Sequence, residues 1–330
     1  MQIFCQDFYD SITEKIKEET KIKRLTKYLE KEFELDREDM QKVDSGIYTL
    51  ESIPSYLMSG KPEITSSLVT IIDLVKNIEQ TELFDHVDLQ INRDDKIALI
   101  RKNGAGKTTL LKMIIGRDTE YDGQIELAKW LKIGYLSQDL FWQDPKNTLR
   151  MEMLAVFPEI TSKIERLAEI QYDDDMWEEV DQIQIFLREN DGYRRYDLQT
   201  DILKYFWFSE KQLDQNVLSL SGWEQTKVQI AKFLISEVDL LILDEPTNHL
   251  DIEGIIFLEK FCKLWKKAIL SISHDVRFID NTSEKILEIS GKKLHQYHGN
   301  YAYYQTEKQS RYDSQMKAHE IQKKEIEEQE

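Results

Sequence analysis

Near the start of the chain, apolar residues recur at helical intervals, at Ile16, Ile22, Leu25, Tyr28, Leu29 and Phe33, among alternating basic and acidic residues. The pattern predicts two or three amphipathic helices in a region 1–66 of unassigned role, suited to partner binding or to a plain helical cap with a solvated face. Pro54, Gly60 and Pro62, then Thr65, Ser66 and Ser67, break the pattern and predict a linker. From Leu68 the runs become short and β-rich: LVTIIDL, the alternating FDHVDLQI, and KIALI ending at Ile100 predict strands. LLILD, ending at Asp244, and AILSIS, ending at Ser273, are almost wholly apolar, as strands are when helices cover both faces of a parallel sheet. Between the loop at Gln138 and the segment at Ser219, 161–187 and 197–207 predict a helical subdomain over about 139–220, inserted into an α/β core. KILEI and KLHQY flank Ser290-Gly291-Lys292, a hairpin signal, and 305–330 is polar and helix-forming.

Composition narrows the class. With 330 residues, 41% hydrophobic and 32% charged, the chain supports one large domain with appendages. A net charge of -18 repels phosphate backbones and argues against generic coating of free DNA. No basic-then-apolar leader and no run of about eighteen apolar residues occurs, so no membrane span and a cytoplasmic location are expected. Cys5 and Cys262 lie far apart without CxxC spacing, which fits reduced thiols.

The chemistry gathers at three places. KIALI runs into Arg101-Lys102-Asn103-Gly104-Ala105-Gly106-Lys107-Thr108-Thr109, after which Leu110, Leu111, Met113 and Ile114 open a helix that Gly116 ends. Strand, glycine loop, helix is the order of a phosphate cradle. In it, backbone N–H groups from Gly104 to Thr108 face the phosphates of ATP, Lys107 neutralises them, and the Thr108 hydroxyl ligates Mg2+. The pattern GxxxxGK[ST] asks for glycine where Arg101 stands; a side chain at a positive-φ position costs on the order of 1 kcal/mol, which predicts weakened nucleotide affinity. Asp244 and Glu245 end an apolar strand, where alternation sends one carboxylate toward Mg2+ and the next toward the γ-phosphate. Taken alone, that pair reads equally as a plain strand end.

The segments SLSGWEQTK at 219–227, LLILDEPTNHLD ending at Asp251, and SISHD ending at Asp275 resemble the ABC superfamily, and specifically its ABC-F branch. The discriminating residues are Glu224-Gln225-Thr226-Lys227 and Thr247-Asn248-His249-Leu250-Asp251. The tail LHQYHGNYAYYQTEKQSRY looks like the end of a first cassette entering its interdomain linker. The resemblance implies an α/β ABC-type P-loop NTPase domain over 67–304, a mixed sheet with an antiparallel β portion and an inserted helical subdomain, followed by a linker helix at 305–330. It implies that Gln138 senses Mg2+ and the attacking water, Asp244 holds Mg2+, Glu245 is the catalytic base, and His274 contacts the γ-phosphate. Asp251 matches the D-loop aspartate, and His249 belongs to the same motif. Ser221 and Gly222 match the signature that touches the γ-phosphate held by an opposite cassette. Members of that branch bind the ribosome as translation factors or antibiotic-protection proteins.

Two departures stand out. Trp223 occupies the place of a second signature glycine, where an indole would crowd closure on the trans γ-phosphate. Ile78 lies near the position where relatives stack an aromatic ring on adenine. Together with Arg101 they predict slow or absent hydrolysis with ATP binding retained. The chain carries one phosphate loop and one signature, so the expectation is pairing with a second cassette, in a homodimer or on another chain. Three functions follow: an ABC-F ATPase acting on ribosomes, the ATPase subunit of a membrane transporter, or a non-catalytic remnant of a two-cassette protein.

Overall fold

A computed structural model describes residues 58, 67–78, 81–100, 106–137, 142–171, 173–248, 250–311 and 316. The helices expected before the linker therefore lie outside the described residues, as does most of the polar terminal stretch.

Two sheets carry the fold. Strands β1 (Ser67–Ile78), β2 (Thr81–Asn92) and β4 (Asp122–Leu127) form an antiparallel sheet in the order β2-β1-β4. The second sheet runs β5-β6-β7-β3-β8-β9, with β3 (Lys96–Ile100), β5 (Ile133–Leu136), β6 (Leu240–Asp244), β7 (Ala268–Ile272), β8 (Lys285–Ser290) and β9 (Lys293–His298). Its neighbours are parallel except for the β8–β9 hairpin, turned at Gly291 (φ 58) and Lys292 (φ 65). The mixed sheet with an antiparallel portion is as expected. Strands β4 and β5 were not legible: DGQIEL is mostly exposed, and IGYL has only four residues.

Helix α1 (Lys107–Ile114) follows β3. Between β5 and β6 come α2 (Leu149–Leu154), α3 (Pro158–Ile170), α4 (Trp177–Glu189), α5 (Gly192–Asp201), α6 (Glu210–Leu213) and α7 (Gly222–Ile235). The run expected over 161–187 is cut by a 3-10 turn at Asp174–Met176, so α3 and α4 pack against each other around Ile160, Leu167, Ile170, Ile183 and Leu187. Helices α8 (Ile252–Leu264) and α9 (Val276–Thr282) flank β7 in the chain.

The apolar strand β6 is covered on both faces. Leu241 and Leu243 enter one core with Val228, Ala231, Leu258 and Phe261 of α7 and α8, while Leu240 and Ile242 enter another with Leu110, Leu111 and Ile114 of α1. This is why the run shows no polar alternation. Because β5, β6, β7 and β3 are parallel neighbours, their C-terminal ends share one edge, and Lys107, Glu245 and His274, remote in sequence, are brought together there.

Candidate nucleotide site

At the end of β3, Gly106 is the N-cap of α1 in left-handed conformation, φ 91. A Cβ there would stand 3.2 Å from the buried ring of Phe84, so both conformation and space select glycine. Among the described residues no side chain caps this helix, and its first turn holds no acidic residue, which leaves backbone N–H groups and the positive end of the dipole for an anion. Lys107 and Thr108 open the helix, with Thr108 exposed and Thr109 half-buried. Arg101, Asn103, Gly104 and Ala105 lie outside the described residues, as do Gln138 and His249.

At the ends of β6 and β7, Glu245 and His274 meet Lys107. The Lys107 Nζ stands 3.7 Å from Glu245 Oε1 and 3.3 Å from His274 Nε2, which in turn lies 3.2 Å from Glu245 Oε1. The lysine and glutamate side chains are only 12% and 14% exposed, so their opposite charges act at reduced dielectric. Nε2 accepts from the ammonium when unprotonated, and donates to the carboxylate when it carries a proton.

The direction of Glu245 corrects the pleat argument. Strand β6 stops at Asp244, and Glu245 is left-handed, φ 51, so strand alternation no longer sets where its side chain points. A non-glycine residue there stores on the order of 1 kcal/mol or more. Hydrogen bonds from Glu245 N to Ile272 O at 2.8 Å and from Asn248 N to Glu245 O at 3.1 Å hold the turn. His274 N donates to Glu245 Oε2 at 3.1 Å, drawing the carboxylate toward β7.

Asp244 keeps its strand geometry and accepts a 2.9 Å hydrogen bond at Oδ2 from the Tyr135 hydroxyl. Sequence reading did not single out Tyr135; only the pairing of Tyr135 with Ile242, two residues before Asp244, brings the groups together. Burial, then the bond to Asp244, pushes the Tyr135 phenol up to about 12. Thr247 Oγ1 and Ser273 Oγ, 3.4 Å apart, link the ends of β6 and β7.

Ser221 and Gly222 start α7, both exposed. The Ser221 hydroxyl and backbone N–H donate to Glu224 Oε2 at 2.8 and 2.9 Å, and Glu224 N returns a bond to Ser221 Oγ at 3.3 Å. The S-x-x-E spacing signals this capping box in the sequence. The indole of Trp223 does not stand free over the signature: it is half-buried, edge-on to Phe257 at 4.8 Å, with the Lys227 ammonium 4.9 Å from the ring. Gly254 makes room for it, since a Cβ there would lie 3.3 Å from the indole. Asp251 caps α8 by accepting from Gly254 N at 2.7 Å. Ile78 is 44% exposed at the end of β1.

The strand order, the glycine-led helix and the carboxylate–histidine pair define an ABC-type P-loop NTPase fold. Residues 84–248 match a family model described as ABC transporter, and 287–330 match a second of the same description. The energy-dependent translational throttle protein EttA of Mycobacterium tuberculosis is 33% identical over 69% of this chain and 42% of its own length. ABC transporter F family member 2 of Arabidopsis thaliana is 32% identical over 79% of this chain and 40% of its own length. Among solved structures, CbiO1 of Clostridium perfringens, part of an ABC transporter complex, matches with a TM-score of 0.52 at 19% identity, over 78% of this chain and 98% of its own; that likeness is one of fold. The chain belongs to the ABC family, and its cassette is of the F type. It spans 42% of the length of the first curated relatives it matches.

Proposed function

We propose that this cassette binds ATP with Mg2+ and hydrolyses it to ADP and phosphate, together with a second cassette and on the ribosome. The observation that carries the reading is the convergence of Lys107, Glu245 and His274 within 3.7 Å at the ends of three parallel strands. In this reading Asn103, Gly104, Ala105, Gly106, Lys107, Thr108 and Thr109 cradle the phosphates. Glu245 takes a proton from the water that attacks the γ-phosphorus, and His274 orients the Glu245 carboxylate while facing the γ-phosphate. Gln138 completes the water and metal side, Asp251 the approach of the partner cassette, and Ser221 with Gly222 the contact to the partner's nucleotide.

The donor set fits Mg2+. Among the described residues no three His, Cys, Asp or Glu side chains cluster to hold a metal, whereas the Thr108 hydroxyl and Asp244 are hard oxygen donors of the kind that share Mg2+ with phosphate and water. Bound there, the ion would neutralise charge developing on the phosphates. Ribosome action is supported by the likeness to EttA, a protein named for throttling translation. Among the described residues no helix is long and apolar enough to cross a membrane.

Slow turnover belongs to this reading on the strength of Arg101 in the phosphate loop and of Ile78, while the indole of Trp223 packs on its own cassette. Sedimentation of the ATP-loaded protein with ribosomes, and phosphate release with and without them, test the whole. ATP-dependent co-sedimentation is expected; a ribosome-free supernatant with either nucleotide removes the ribosomal part, and no magnesium-nucleotide binding in calorimetry removes the rest.

A further inference from the structure

We propose that Tyr135 is a positioning residue for the metal-binding carboxylate: its hydroxyl holds Asp244 Oδ2, leaving Oδ1 to face the ion. The inference deepens the nucleotide reading above and rests on it.

A neutral phenol within 2.9 Å of a carboxylate acts as the donor, so the bond consumes one acceptor site on Oδ2 and fixes the plane of the carboxylate. The two side chains share a face of the sheet. Tyr135 pairs with Ile242, and Asp244 lies two residues further along the same strand, a diagonal separation that a tyrosine spans. The ring is anchored independently of its hydroxyl: it packs on the core of β6 and α1, with the Arg117 guanidinium 5.7 Å from its centre. A group whose body is held by packing and whose tip holds a metal-binding carboxylate is built as an outer-shell support, and such partners typically set metal affinity by 10- to 100-fold.

The placement adds a consequence. Strand β5 ends at Leu136, so the residue that orients Asp244 is three positions before Gln138. One hydrogen bond thereby ties the metal carboxylate of β6 to the strand that leads into the glutamine loop.

The test is Mn2+ titration of the full chain, followed by electron paramagnetic resonance, with and without the non-hydrolysable ATP analogue AMP-PNP. Tyr135→Phe keeps the ring and deletes only the hydroxyl. It is expected to weaken Mn2+ binding in the presence of AMP-PNP by about 10-fold or more, while AMP-PNP binding in EDTA and the thermal midpoint stay at parental values. In an Asp244→Asn background the same substitution is expected to change nothing, because it acts through the carboxylate. Parental Mn2+ affinity in Tyr135→Phe, or an equal loss in both backgrounds, overturns the proposal alone. Absence of nucleotide-dependent Mn2+ binding in the parent protein overturns the nucleotide reading and this proposal with it.

Discussion

The backbone N–H of His274 donates to Glu245 Oε2 at 3.1 Å, and the ring Nε2 of the same histidine stands 3.2 Å from Oε1, so one residue fixes both oxygens of the carboxylate. A base held at two points in a strained turn is oriented before substrate arrives. Glu245→Gln preserves size and removes the proton acceptor. Phosphate release is expected to fall by about 10²- to 10⁴-fold with nucleotide binding retained; release at the parental rate would place the base elsewhere.

Lys107 is 12% exposed and is the described cation facing Glu245 and His274. A charge-assisted hydrogen bond to phosphate contributes about 1.5–3 kcal/mol, so Lys107→Ala is expected to weaken binding of magnesium ATPγS by roughly 10- to 150-fold. Calorimetry measures this directly, with circular dichroism to show that the fold is kept.

Glu152 on α2 is fully buried and accepts from Gln143 N at 3.1 Å, Asn147 Nδ2 at 3.0 Å and Lys232 Nζ at 2.6 Å. Burial pushes its carboxyl up, but these donors outweigh burial and hold it below its ordinary value. Removing one partner of such a pair strands the other charge, so Glu152→Ala should cost about 3–5 kcal/mol in urea unfolding. A cost within 1 kcal/mol would mean that Lys232 finds water once the carboxylate is gone.

Trp223 bridges α7 to α8 through Phe257 and Gly254. For a half-buried indole, Trp223→Ala is expected to lower stability by about 1–3 kcal/mol, below the value for a fully buried aromatic residue. If the unfolding midpoint does not move while nucleotide-dependent dimerisation improves, the ring belongs to the interface instead.

Cys262, 1% exposed, has its thiol pushed up to about 12 by burial. In a Cys5→Ser background, Ellman's reagent at pH 8 should label it only on unfolding. Because the unfolded thiol ionises near 9 and the folded one near 12, the native state holds more protons across that window. This group therefore favours the folded state fully below pH 9 and loses that contribution as pH rises toward 12. Rapid labelling of the native protein would show an opening at the C-terminal end of α8.

Much of the fold was legible because buried parallel strands and glycine loops leave strong local signatures. LLILD, KIALI and AILSIS read as strands from their unbroken apolar runs, and Gly106-Lys107 followed by Leu110 and Leu111 read as loop then helix. IGYL and DGQIEL escaped because four residues, or a mostly exposed edge, carry little periodicity. The 3-10 break at Asp174–Met176 escaped because helix-compatible residues run through it.

By itself the sequence determined the order of motifs along the chain and the kinds of chemistry they hold: a lysine beside glycines, paired carboxylates after an apolar strand, a histidine after another. Tertiary structure alone decided which of those groups meet. Strand order brought Lys107, Glu245 and His274 to one edge, a left-handed residue turned Glu245 out of the pleat, register placed Tyr135 against Asp244, and Gly254 admitted the indole of Trp223. The physical reason is that side-chain identity is local, while direction and neighbourhood depend on contacts between residues separated by tens of positions or more.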